Sequence, residues 1–348
     1  MAEFHKVHIQ EIRQETADAV SVVFKIPEHL KADFSFKSGQ YITLQTLINN
    51  ENVRRAYSIC STPESGEIRV AIKKVEKGVF STYATTHLKV GDEIEAAAPE
   101  GRFLLTPGVD NNYIGFAAGS GITPILSMLK TVLETETTAN FTLIYGNKSV
   151  ADAIFFEELN SLKETYADRF KLHYIYSREN VKNSLRGRID GNVTNYFVKN
   201  MYKETSFNAA FLCGPEEMIK DVSKTLEKNK IAKENIYFEL FTTAADKEKV
   251  AQVKEGTTEI TVLLDDEKTT FIMSQTDDIL AANLRNDIDA PYSCQGGVCS
   301  SCLCKVTEGK AVMVKNSILT DGEIEEGFVL ACQAYPTTPK ITIDFDDL

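Results

Sequence analysis

The chain has no tryptophan among its 348 residues, an absence that excludes nothing by itself. Other absences exclude more. The opening residues Met-Ala-Glu-Phe-His-Lys-Val-His contain no apolar stretch of the kind that drives secretion, so no export signal is expected. The longest uncharged run, the nineteen residues 111–129, is broken by Gly115, Gly119, Gly121 and Pro124. A strand, a glycine turn and a helix fit that run better than a membrane span. Seven cysteines, an odd number, without an export signal argue against a disulfide framework and for the reducing cytoplasm. There is no basic excess: the net charge is −12, which makes nucleic acid an improbable partner. Neither internal repeats nor low-complexity segments occur.

The charge that is present is unevenly placed. Over residues 258–348, 16 Asp and Glu stand against 6 Lys and Arg, whereas residues 1–257 hold the remaining 34 against 32. An acidic C-terminal unit therefore follows a nearly neutral body. Segment patterns divide the body again. Residues 1–106 read as short strands at 4–9, 19–26, 40–45, 57–61, 68–72 and 93–98, punctuated by Gly39, Pro63, Gly66 and Gly91. A small antiparallel β-barrel is expected from them. Residues 107–241 alternate: strands at 113–117, 141–145, 170–176, 209–213 and 236–241, and helices at 124–134, 155–165 and 215–228. That alternation predicts an α/β domain with a parallel sheet. Residues 242–257 are polar and aperiodic and read as a linker. In 258–348, a hairpin turning at Asp265-Asp266 and a short helix at 279–286 precede a cysteine-rich loop. The fold class expected is thus multidomain.

That loop reads Cys294-Gln-Gly-Gly-Val-Cys299-Ser-Ser-Cys302, with Cys332 thirty residues further on. The spacing C-x4-C-x2-C…C is that of plant-type [2Fe-2S] ligation. Three thiolates in nine residues must curl round one small object, and Gly296 and Gly297 give the backbone that freedom. A zinc site or unrelated buried cysteines are the alternatives, but zinc sites usually draw on two C-x2-C pairs. Cys304 is expected in the core, not among the ligands. Residues 258–348 resemble a plant-type ferredoxin domain, an α+β β-grasp fold, whose late fourth cysteine matches Leu330-Ala-Cys332-Gln.

Ala117-Ala-Gly119-Ser-Gly121-Ile-Thr123-Pro124 follows a strand and opens a helix, the setting of a phosphate-binding turn. Pro124 replaces the third glycine of the dinucleotide fingerprint, which argues against an ordinary Rossmann dehydrogenase. Together with Arg55-Ala-Tyr57-Ser58 upstream and Cys213-Gly214-Pro215 downstream, the turn resembles the ferredoxin–NADP reductase superfamily across residues 1–241. That resemblance implies a bound FAD. Arg55 would neutralise a phosphate, Tyr57 stack on the isoalloxazine and Ser58 bond its reactive edge. Gly78 and Ser81, in Lys77-Gly-Val-Phe-Ser81, would meet the pyrophosphate and favour FAD over FMN, and Glu239 and Phe241 would lie against the flavin. Gly119, Gly121, Thr123 and Cys213 would hold the nicotinamide nucleotide. Ser177-Arg178, assisted by Arg186 and Arg188, would grip a 2′-phosphate, favouring NADPH with NADH as the alternative.

The order of segments resembles reductase components of bacterial multicomponent oxygenases that end in a ferredoxin domain. It implies electron flow from NADPH through FAD and the cluster to an external acceptor, a di-iron oxygenase such as phenylacetyl-CoA epoxidase. A desaturase, a cytochrome P450 or a hybrid-cluster protein are alternative acceptors. A zinc-stabilised interaction module on a nucleotide-binding body is the alternative of a different class. Hydride transfer needs no protein acid or base, and none is assigned.

Overall fold

In the computed structural model, residues 3–241 and 245–347 are described. Positions 1–2, 242–244 and 348, which belong to the expected barrel, linker and ferredoxin segments, lie outside them. The N-terminal sheet is built from β1 (Phe4–Thr16), β2 (Ala19–Lys25), β3 (Tyr41–Ile48), β4 (Glu51–Ser58), β5 (Ile68–Lys73) and β6 (Glu93–Ala97). All its pairings are antiparallel, in the order β4-β3-β6-β1-β2-β5. A bridge between Ile59 and Val70 brings the two outer strands together, which makes the sheet a barrel. Asn49 and Asn50, both with positive φ, form the two-residue turn between β3 and β4. That turn sets β4 earlier than the 57–61 expected, and places Arg55, Tyr57 and Ser58 opposite Leu44, Ile42 and Tyr41. Alternating side chains fill the barrel, Val20, Val22, Ile42, Leu44, Val70 and Ile72 among them. One helix, α1 (Val79–Thr86), was not expected; its Thr- and Ser-rich sequence has little apolar period of its own.

The second sheet is fully parallel: β7 (Asn112–Ala118), β8 (Asn140–Asn147), β9 (Phe170–Tyr176), β10 (Leu185–Arg186), β11 (Ala209–Cys213) and β12 (Ile236–Glu239). Its order is β10-β9-β8-β7-β11-β12. The chain therefore starts in the middle, builds outward on one side, then crosses to the other, leaving a switch point between β7 and β11. The helices α2 (Ile122–Thr135), α3 (Phe156–Thr165), α4 (Gly191–Asn195) and α5 (Glu216–Lys228) connect the strands. On α2, Ile125, Leu126, Met128, Leu129, Val132 and Leu133 are all buried, as their helical spacing predicts. Barrel and parallel sheet share one apolar core, in which Cys60, Ala71 and Phe103 pack with Ile125, Phe141 and Phe211. Phe4–Glu239 accordingly forms one compact unit.

The unit that begins at Leu240 is separate. Part of the expected linker is ordered against it: α6 (Lys247–Val250) is capped by the Asp246 side chain, and the Asp246 amide donates to the Val314 carbonyl across 2.8 Å. A five-stranded mixed sheet follows, from β13 (Thr257–Leu264), β14 (Glu267–Ser274), β15 (Leu303–Glu308), β17 (Phe328–Leu330) and β19 (Lys340–Asp344), in the order β14-β13-β19-β15-β17. The first and last of these strands lie parallel at its centre, β13 beside β19. With α7 (Ile279–Arg285) packed on the sheet, this is the β-grasp arrangement; the minor pair β16 (Ala311–Met313) and β18 (Ala334–Pro336) and the short α8 (Asp321–Glu325) complete it. Among the described residues no helix is long and apolar enough to cross a membrane.

Candidate functional site

At the switch point of the parallel sheet, the carboxyl ends of three strands line up, with Cys213 in register with Ala117 on one side and Glu239 on the other. Ligands of open α/β sheets bind at such an edge. The glycine turn leaves β7 here. Gly119 has φ +55°, in the region that favours glycine, and a Cβ on Gly121 would stand 2.1 Å from the Cys213 carbonyl oxygen. The two nucleotide motifs are thus in backbone contact, and only glycine permits it. Thr123 is buried, and its hydroxyl donates to the Ser120 carbonyl across 3.0 Å, which closes the turn. Tyr145 steadies the same turn from β8, its hydroxyl donating to the Gly119 carbonyl at 3.1 Å.

The flavin-type motif reaches this edge through one side chain. Ser58 donates its hydroxyl hydrogen to the Glu239 carboxylate across 3.0 Å. Tyr57 is half-buried, with its ring 5.6 Å from that of Phe80, which α1 contributes just before Ser81. The Ser81 hydroxyl accepts from the Val75 amide at 3.2 Å and folds the Lys77-Gly78 turn onto the start of α1. A Cβ on Gly78 would lie 2.4 Å from that hydroxyl and from a Val75 methyl, so a side chain here would have to displace both. The unbonded amides at the start of α1 suit an anionic group. Arg55 is half-buried on β4, and its guanidinium donates to the Arg54 carbonyl at 2.6 Å. Phe241 follows β12 and is exposed. It belongs to the second unit, whereas the other expected flavin residues belong to the first.

At the far side of the same edge, Ser177 and Arg178 follow β9, their amides donating to the Asn147 and Lys148 carbonyls at 2.9 Å each. Arg186 lies on β10 opposite Tyr176. The side chains of Arg178, Arg186 and Arg188 are exposed and have no ion pair among the described residues, so three guanidinium groups are available to an anion. Asn147 was not expected from sequence. It is buried at the end of β8, and neither its side-chain nitrogen nor its side-chain oxygen has a hydrogen-bond partner among the described residues. Such an orphan at a ligand-binding edge is a group that a bound molecule or water satisfies.

In the second unit the four cysteines gather in a row of neighbours. The Cys299 thiol donates to the Cys294 sulfur across 3.1 Å, and Cys332 lies within hydrogen-bonding reach of both Cys294 and Cys302. A two-iron cluster takes four thiolates as two pairs, unlike a tetrahedral zinc ion, and the row suits it. The loop is tied down on both sides: Gln333 donates to the Gln295 carbonyl at 3.1 Å, and the Ser317 hydroxyl to the Gly297 carbonyl at 3.1 Å. Gly297 has φ +71°, and a Cβ there would meet the Lys315 carbonyl oxygen at 2.9 Å. The Gly296 amide donates to the Cys294 sulfur at 3.3 Å, the type of bond that tunes a cluster. Hydrogen bonding to Cys294 and burial push the Cys299 thiol far up. Cys304 is fully buried on β15, and Cys60 and Cys213 are buried in the other unit.

Residues 6–104 match the oxidoreductase FAD-binding domain family, 116–224 the oxidoreductase NAD-binding domain family and 262–337 the 2Fe-2S iron-sulfur cluster binding domain family. The chain is 37% identical to one of the subunits of 1,2-phenylacetyl-CoA epoxidase from Escherichia coli (strain K12), over 99% of each sequence. It is 31% identical to the ferredoxin reductase component of 3-ketosteroid-9-alpha-monooxygenase of Rhodococcus rhodochrous, over 97% of this chain and 95% of that one. Among solved structures, phthalate dioxygenase reductase shares the fold, with a TM-score of 0.67, 21% identity and 98% of each chain covered.

Proposed function

The chain belongs to the family of reductase components of oxygenase systems that join FAD-binding, NAD-binding and [2Fe-2S] domains, and on that premise we propose that it carries electrons from NADPH to a di-iron oxygenase of the phenylacetyl-CoA epoxidase type. When bound, FAD takes two electrons as hydride and the [2Fe-2S] cluster passes electrons on one at a time. The observation that carries the reading is the meeting of the flavin and nucleotide motifs at one sheet edge, through Ser58–Glu239 and Gly121–Cys213.

The chain's own residues do the placing. Arg55 and the amides at the start of α1, with Gly78 and Ser81, would hold the FAD phosphates. Tyr57, backed by Phe80, would present a flat face to the ring. Gly119, Gly121, Thr123 and Cys213 would shape the nicotinamide pocket, closed to water by the buried Cys213 and Thr123. Ser177, Arg178 and Arg186 would take the 2′-phosphate, which NADH lacks. Cys294, Cys299, Cys302 and Cys332 would hold the cluster.

The acceptor assignment rests on the full-length relative and on the acidic excess of residues 258–348, which suits a basic docking face. Two measurements test the reading. Purified protein should be orange-brown, with flavin and cluster absorption that NADPH bleaches under anaerobic conditions; a colourless protein refutes it. Acceptor reduction should slow as ionic strength rises, and a salt-independent rate would remove the charge argument.

A further inference from the structure

Arg69 is an arginine inside a strand that should bury apolar side chains. It lies on β5 of the barrel with only 5% of its side chain exposed. Each of its three guanidinium nitrogens has a partner. Nη2 meets Glu15 on β1 at 2.8 Å, Nε donates to the Ser21 hydroxyl on β2 at 3.1 Å, and Nη1 meets Glu158 on α3 at 2.8 Å. Glu158 also takes Lys130 of α2 at 3.0 Å, and the guanidinium lies 4.9 Å from the Phe155 ring centre. Burial alone would push the Glu158 carboxyl up, but Arg69 and Lys130 outweigh it and keep it ionised. Two of the arginine's partners are thus in its own barrel, and one is in the nucleotide-binding layer.

Further ties cross at the same place. Ser127 on α2 donates to the Ser61 carbonyl at 2.6 Å, and the Thr62 hydroxyl donates to Glu134 on α2 at 3.0 Å. The barrel segment gripped here, residues 61–69, begins three residues after Ser58. The helix gripped on the other side, α2, begins at the glycine turn. The barrel segment is thus continuous with the flavin motif and α2 with the glycine turn, while Glu158, on α3, reaches α2 through Lys130. A buried ion pair contributes little net stability compared with an apolar packing of the same volume, but it specifies one geometry.

Resting on the reductase reading above, we propose that Arg69 and Glu158 form a positioning clasp that fixes the nucleotide layer against the flavin barrel and so sets the nicotinamide–flavin approach. The two carboxylates of Arg69 supply the control. Glu158→Gln removes the charge from the ion pair that crosses between the layers, while Glu15→Gln removes the charge from the pair within the barrel to the same guanidinium.

The experiment is stopped-flow bleaching of the flavin in the full-length holoprotein at saturating NADPH, with FAD content and NADPH affinity measured alongside. Glu158→Gln should slow bleaching on the order of tenfold while FAD content and NADPH affinity hold, because small misplacements of reacting groups cost that much or more. Glu15→Gln should stay within about twofold of the unmodified protein, since the distance between layers is untouched. Bleaching at the unmodified rate in Glu158→Gln, or an equal loss in both variants, overturns the clasp and leaves the network a stabilising one. Should Glu158→Gln not accumulate as holoprotein, Thr62→Val, which removes the tie to Glu134, is read by the same two criteria. Failure of the unmodified protein to bleach with NADPH or NADH would instead overturn the reductase reading, an outcome distinct from either variant result.

Discussion

Ser58 and Glu239, 181 residues apart in sequence, share a 3.0 Å hydrogen bond that joins the end of the barrel's fourth strand to the end of the last strand of the parallel sheet. The bond places a hydroxyl and a carboxylate beside the buried Cys213, whose thiol burial and Glu239 both push far above its usual range. Cys213 is therefore a neutral, apolar wall, and the polar chemistry of this corner belongs to Ser58 and Glu239. Ser58→Ala is expected to slow flavin reduction by roughly 100- to 1,000-fold, the loss typical of one preorganised donor, with FAD retained. Stopped-flow absorbance measures it, and an unchanged rate removes Ser58 from the flavin edge.

Gly121→Ala tests the backbone contact between the two nucleotide motifs. Its Cβ would meet the Cys213 carbonyl oxygen, the Cys213 carbonyl carbon and the Gly214 nitrogen at 2.1, 2.5 and 3.0 Å, none of which can rotate away. The turn must shift, at a cost of about 1–3 kcal/mol. Calorimetry should register that loss, and NADPH affinity should fall with it.

Coenzyme choice is carried by the exposed guanidinium groups after β9. Arg178→Ala is expected to raise the KM for NADPH about tenfold or more and leave that for NADH nearly unchanged, since a charge-assisted fork to a phosphate is worth about 1.5–3 kcal/mol. Equal effects on both nucleotides would assign Arg178 to the shared part of the dinucleotide. Arg178→Ala/Arg186→Ala should extend the difference.

Division of labour between the units is tested by Cys299→Ser. Electron delivery to the acceptor should disappear, while NADPH-driven reduction of a dye at the flavin stays largely intact. Loss of both activities with FAD still bound would mean that electrons do not pass through the units in the proposed order.

The cysteine spacing and the glycine turn were legible because each demands a rare combination of residues over a short span. The hairpin at Asp265-Asp266 was legible for a similar reason, and both residues have positive φ. Asn49-Asn50 makes the same kind of turn, yet the charged Arg54 and Arg55 hid the alternation of β4, so a strand that starts at Glu51 was expected to start at Tyr57. The helix α1 carries no period of its own and is held by Ser81 and by the packing of Phe80 in the barrel core. Part of the expected linker is ordered because Asp246 caps α6 and bonds to Val314, a partner remote in sequence. Arg69 illustrates the general limit. A charged residue in an alternating strand reads as solvent-facing, and only the partners at positions 15, 21 and 158 reveal otherwise. Nor does the sequence around β8 announce that the Asn147 side-chain amide is buried without partners among the described residues.

His173 on β9 gives a pH dependence of known sign. Burial holds its imidazole down to about 4, and its Nε2 lies 2.6 Å from the Tyr202 hydroxyl. An unfolded histidine protonates near 6.5, so between about 6.5 and 4 the unfolded chain binds the extra proton. Stability contributed by neutral His173 is thus complete above about pH 6.5 and is lost as pH falls toward 4. The melting temperature of the Phe4–Glu239 unit should drop over that window, and His173→Gln should flatten the drop by roughly 2–4 °C for each kcal/mol involved.

Because β12 returns Glu239 to Ser58, the flavin and nucleotide layers complete each other before the cluster-bearing segment starts. Among the described residues, no strand of either sheet borrows a residue from beyond that point. In genetic terms the junction after Glu239 is a seam. Recombination there joins or exchanges an electron outlet without cutting a strand of either sheet, so the same upstream cassette is open to being spliced to new outlets and, through them, to new acceptors.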